Sequence, residues 1–122
     1  MDKSQAFNTF WNSFIWKAYE QTTIPENTAL PYISYEYAEG AIGDTIPLSA
    51  SLWVRSQSWS TIEQKAHEIS AAIGLGGKVV DYDGGKLWIT RGATFAQRMS
   101  EPEDSGIRRI LININAEFLS AN

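Results

Sequence analysis

Residues 86–119 read KLWITRGATFAQRMSEPEDSGIRRILININAEFL, and the interpretation of this stretch decides the fold. Its two ends are strands by pattern. Lys86–Thr90 is short, apolar and β-branched. From Ile110 onward, Ile110, Ile112, Ile114, Ala116 and Phe118 alternate with Leu111, Asn113, Asn115 and Glu117, the period of a half-buried strand. Between them the period is lost. Residues 91–109 have basic ends (Arg91, Arg108, Arg109), an acidic middle (Glu101, Glu103, Asp104), and Phe95 and Met99 as apolar anchors. The reading is a long polar loop before the last strand. Loops of this length inside a compact domain are uncommon and are usually functional or disordered.

Upstream, Lys78–Tyr82 is a second short strand, and Asp83-Gly84-Gly85 between it and Lys86 is a strong hairpin signal. Before it, Ile62, Ala66, Ile69 and Ile73 mark the apolar face of a helix. Ser60 and Glu63 have capping-box spacing, and Trp59 stands where a staple would close the entry. Gly74 is a natural stop, with Gly76-Gly77 extending the turn.

The first half reads as a helix over 4–20 and two strands. Phe7, Phe10, Trp11, Phe14, Ile15 and Ala18 share one helical face, Ser4 fits as N-cap, and Trp16 points the opposite way as a candidate contact with another subunit. Residues 32–40 and 45–56 alternate and are joined by a short Gly-containing turn, which implies an antiparallel pair. Pro47 lacks a donor, which places that end of the second strand at an edge. The expected order is therefore α-β-β-α-β-β-β. That is an α+β domain, with two helices on one face of a largely antiparallel sheet and a long loop before the last strand.

The 122 residues suit a single domain, 1–122, with a real core. The absence of cysteine excludes disulfides, thiolate nucleophiles and zinc–thiolate sites. The N-terminus lacks the apolar run of a signal peptide, and no stretch approaches the roughly 20 apolar residues of a membrane helix. A net charge of −4 and a pI near 4.9 disfavour direct nucleic-acid binding. Residues 1–60 hold Lys3, Lys17 and Arg55 against Asp2, Glu20, Glu26, Glu36, Glu39 and Asp44, a local balance of −3 that suits self-association.

A search for chemistry finds no site. His67-Glu68 begins like a zinc-protease motif, but Ala71 stands where the second histidine belongs. Asp81-Tyr82-Asp83-Gly84 has its glycine misplaced for a calcium loop. The glycines after Ile73 close a helix instead of opening one, so they cannot cradle phosphate. Glu36 and Glu39 face opposite sides of a strand. No catalytic, cofactor or metal residues are assigned, and the chain is read as no enzyme. The acidic cluster among Arg91, Arg98, Arg108 and Arg109 favours a mixed-charge protein interface over phosphate binding.

Taken end to end, the pattern resembles the tail terminator, or tail-completion, family of long-tailed bacteriophages and their prophages. The likeness rests on the first helix, residues 30–40 (LPYISYEYAEG), residues 52–59 (LWVRSQSW), the helix from Ser60, the arm 85–90 and, above all, residues 98–109 (RMSEPEDSGIRR) ahead of the closing strand. It implies a ring, commonly a hexamer, that caps the growing tail tube, ends its polymerisation and presents the head-joining surface. The implied partners are other copies, the tail tube protein and a head–tail connector protein, with no membrane and no cofactor. The implied location is the tail or neck of the virion, after assembly in the bacterial host cytoplasm. On that reading Phe95 and Met99 anchor the loop against the tube end or a neighbouring subunit, Arg98, Glu101, Glu103 and Asp104 carry charge complementarity, and Trp16 is a further contact. A head-side connector or stopper ring, or a small protein-binding module of a prophage regulatory system, is the alternative.

Overall fold

The computed structural model describes residues 1–101 and 103–120. The element order is α1 (Lys3–Asn12), β1 (Lys17–Glu20), β2 (Tyr32–Tyr35), β3 (Thr45–Arg55), α2 (Ser60–Ile73), β4 (Lys78–Tyr82), β5 (Gly85–Met99) and β6 (Ile107–Ser120). The strands form one six-stranded sheet in the order β1-β2-β3-β6-β5-β4. β1 runs parallel to β2 and the other neighbours are antiparallel. This corrects the expected fold class. The chain is mostly sheet, the sheet is mixed and curled into a half-barrel, and a strand stands between α1 and β2 that the α-β-β-α-β-β-β order lacks.

The extra strand comes out of the expected 4–20 helix. Asp2, not Ser4, is the N-cap, and it forms a reciprocal capping box with Gln5. The helix stops after Asn12 because two side chains there compete for backbone partners. Ser13 Oγ donates to the Phe10 carbonyl at 2.6 Å, and the Ala18 amide donates to Asn12 Oδ1 at 2.9 Å. Ile15 then takes φ +77, and the chain turns back as β1. Phe7, Phe10, Trp11, Phe14 and Ala18 are buried as the apolar stripe requires, but Ile15 is 89% exposed.

The second correction concerns the long loop, which is mostly strand. β5 extends through Met99 and β6 begins at Ile107, so only residues 100–106 connect them. The alternation was hidden by a register shift. Arg91 pairs with Ile114, but pairing resumes with Ala96 opposite Ile112. Such an irregularity breaks the period of two and re-aims the side chains beyond it. Pro47 also lies within the sheet by strand order, since β3 sits between β2 and β6. Ser49 turns its amide to Glu36 Oε1 and its carbonyl to the Glu36 amide, on the β2 side. Pro47, two residues earlier, faces the same way, past Tyr35 where β2 has ended. Its missing donor costs no ladder bond.

One core unites both helices with one face of the sheet. Pairing aligns Ile33, Leu52 and Ile110 in one row and Tyr35, Ala50 and Ile112 in the next, while Leu87 meets Phe118 and Ile89 meets Ala116. All are buried, and each large side chain contributes about 1.5–3 kcal/mol. The α2 stripe of Ile62, Ala66, Ile69 and Ile73 covers the β3–β6–β5 side. The helix ends at Gly74, φ +69. Its expected capping box is absent: Trp59 is the N-cap without a side-chain bond, and Glu63 is engaged elsewhere. Helix α1 touches both edge strands, β1 and β4, so it lies across the open side of the half-barrel.

Candidate docking site at the hairpin tip

The β5–β6 tip gathers most of the charges that the sequence singled out, though not Arg91, which bonds Ser70 on α2, and three arginines there have an acidic partner in this chain. Arg98 lies beyond the register shift, opposite the core residue Ile110, so it faces α2. Its Nε donates to Glu63 Oε1 at 2.6 Å, Nη2 contacts the same oxygen, and the guanidinium lies 4.8 Å from the Trp59 ring centroid. Arg55 at the end of β3 holds Asp104 at 3.0 Å. Arg109 approaches Glu101 at 3.5 Å. Arg108 also lies against the Trp59 ring, at 5.2 Å, and donates to the Gln57 carbonyl. Two cations on one indole give the tip a stacked, planar character that favours a fixed geometry.

The sequence-derived residues fall into four groups. Arg98, Glu101 and Asp104 stand together at the tip, each in an internal ion pair. Asp104 also accepts from the Gly106 amide; the Arg55 guanidinium and then that amide hold its carboxyl below the usual range. Glu103 is exposed and has no ion pair among the described residues. Pro102 of the same motif lies outside the described residues. Phe95 is partly buried against the core, and Met99 is half-buried opposite Arg109. Trp16 sits far from the tip along the chain, at the α1–β1 corner. It is half-buried on the core, with Lys65 Nζ 5.4 Å from its ring. Lys65 also donates to the Phe14 carbonyl at 2.8 Å, which ties that corner to α2.

Strand register adds residues that one-dimensional reading did not single out. On the sheet face opposite the core, pairing aligns Lys17, Tyr32, Trp53, Arg109 and Met99 across β1, β2, β3, β6 and β5. Tyr32 stacks on Trp53 at 6.0 Å, and Arg109 lies 4.8 Å over the same indole. Trp53 Nε1 donates to Ser34 and Arg109 Nε to Ser51, so the row is locked by the next one. The available signal was that Tyr32 and Trp53 occupy the non-core phase of their strands. Aromatic, Met and Arg side chains are the types enriched in protein interfaces. Burial, and then the Glu101 carboxylate, push the Tyr32 phenol up.

A shallow groove of 760 Å³ lies between α1 and β1, lined by Asn8, Lys17, Tyr19, Glu20, Tyr35 and Tyr37 among others. Asn8 donates to the Tyr35 hydroxyl at 3.0 Å. Among the described residues no cluster of His, Cys, Asp and Glu has a metal-binding arrangement, and no helix is long and apolar enough to cross a membrane.

No protein family and no curated protein matches the chain. A solved structure does. The chain aligns at TM-score 0.60 and 19% identity with a chain of the "Virion of native gene transfer agent (GTA) particle", over 96% of this chain and 94% of that one. At that identity the likeness concerns the fold, and it covers nearly the whole of both chains.

Proposed function

We propose that this chain is a structural protein of a phage-like particle, without enzymatic activity, and that within the particle it acts as a tail terminator. The observation that carries the reading is the end-to-end likeness to a chain of a gene transfer agent virion. The finer role rests on the sequence resemblance to tail terminators and on the tip. Copies join head to tail into a closed ring, a hexamer by resemblance, because a repeated heterologous contact closes whenever its rotation permits. The ring covers the open end of the tail tube and offers its other side to the head–tail connector.

In this mechanism the tip is a preorganised contact. Arg98, Glu101 and Asp104 are already held by Glu63, Arg109 and Arg55, so little side-chain freedom remains to be lost on docking. Glu103 supplies a charge open to a partner, Met99 and Phe95 supply apolar contact, and Trp16 supplies a second contact at the α1–β1 corner. Mixed charge of this kind selects orientation and partner more than it adds affinity.

The test adds purified protein to polymerising tail-tube subunits and measures tube length by electron microscopy. The expected result is short tubes, each with a ring at one end, and loss of capping when Glu103 and Met99 are replaced by Ala. Tubes of unchanged length, with no ring at either end, would refute the terminator role.

A further inference from the structure

Asn12 does more than end a helix. Just past the end of β1, Gln21 donates its amide to the Tyr35 carbonyl on β2. Alternate residues of a strand direct their backbone groups to opposite sides, so Ala18 and Glu20 face away from β2. That outer side is a sheet edge, and an edge is a template for another strand. Here it is already occupied. Asn12 Oδ1 accepts from the Ala18 amide at 2.9 Å, and Asn12 Nδ2 lies 3.3 Å from the Ala18 carbonyl. A carboxamide has the donor and acceptor of a peptide group, and this one makes the two bonds a seventh strand would make. Its nitrogen is oriented by the Asn8 carbonyl at 2.9 Å. The Glu20 carbonyl is taken by the Thr23 amide and hydroxyl, at 2.9 and 3.1 Å.

We infer that Asn12 is a strand-mimicking plug that closes the β1 edge and keeps a second copy of this chain from extending the sheet there. Helix α1 carries the plug. It spans from β4 to β1, and near its other end the Asp83 amide, just past β4, donates to the Met1 carbonyl at 2.6 Å. A contact between copies therefore does not form by continuation of the sheet through β1. The inference stands on edge geometry alone and is independent of any role in a virion.

The test combines amide hydrogen exchange with light scattering over a concentration series. In the unaltered protein the Ala18 amide should be protected although it faces the outside of an edge strand. Asn12→Ala should speed its exchange about two- to tenfold, the loss of a net hydrogen bond, and raise the mass above that of the parent at each concentration. Adding Ala18→Pro removes the donor that a new strand needs, so the double variant should return to the parent's mass. Free exchange of Ala18 in the unaltered protein would overturn the plug without any variant having to fold. So would a folded Asn12→Ala protein with the parent's mass throughout the series.

Discussion

Arg98 serves the fold before it serves any partner, and a double-mutant cycle with Glu63 measures how much. The two side chains are 55% and 36% exposed, which places them among solvent-screened pairs. The charge-assisted hydrogen bond from Nε puts the pair toward the upper part of that range, about 0.5–1 kcal/mol. Arg98 also covers Trp59 at 4.8 Å, for about another 0.5–1 kcal/mol. Arg98→Ala should thus cost about 1–2 kcal/mol, Glu63→Ala about 0.5–1, and the double variant no more than Arg98→Ala alone, leaving a coupling of about 0.5–1 kcal/mol. Urea unfolding followed by tryptophan fluorescence reads these values, provided the denaturant slope is constant across the set. Molar salt should shrink the coupling and leave most of the Trp59 contribution. A coupling below about 0.2 kcal/mol, the floor for such pairs, would refute the view that the tip is internally organised. In the tube assay, Glu63→Ala frees Arg98 without removing it, so it should still cap; Arg98→Ala should not.

Three further outcomes follow from packing and charge. Gly77 has φ +87, and a Cβ there would strike Trp88 Nε1 and come within 2.8 Å of the Ile89 carbonyl, whereas Gly76 has open space and ordinary φ. Gly77→Ala should cost about 2–4 kcal/mol by denaturation, and Gly76→Ala should change stability by less than about 1 kcal/mol in either direction. Phe118 is fully buried against Phe7 and Tyr82, so Phe118→Ala should cost about 3–5 kcal/mol and lower the thermal midpoint accordingly. The Asp104 carboxyl is held down by Arg55 and then by the Gly106 amide, and the Glu39 carboxyl by the Tyr37 hydroxyl and then by Lys3. Groups with depressed folded values stabilise above their unfolded pKa, and that contribution is lost as pH falls below about 4. Asp104→Asn and Glu39→Gln should each flatten the acid limb of a stability–pH curve; an unchanged limb in both would remove these carboxylates from the account.

Periodicity carried the core and failed where two periods gave the same answer. Ile62, Ala66, Ile69 and Ile73, and the series Ile110 to Phe118, were legible because each fits only one regular structure, and all are buried. Phe14 and Ala18 are different, because they suit the face of a continued helix and equally a return strand that puts Ala18 inward. The choice between them was made by Asn12 and Ser13, whose side chains satisfy backbone groups a longer helix would have used. Polar residues near the end of an apolar stripe therefore deserved more weight than the stripe itself. The arms around Glu101 fail for a related reason. A strand over 91–99 was hidden by a register shift, and the charges of 98–104 read as a protein interface because two of their partners, Glu63 for Arg98 and Arg55 for Asp104, lie 35 and 49 positions away. Local composition cannot distinguish a charge in water from one lying on a neighbouring element. The Tyr32–Trp53–Arg109 row has the same origin, since the three outward positions become one surface only after β2, β3 and β6 are in register. A docking surface on a sheet is a property of register, so sequence alone supplies its residue types and the pairing supplies its shape.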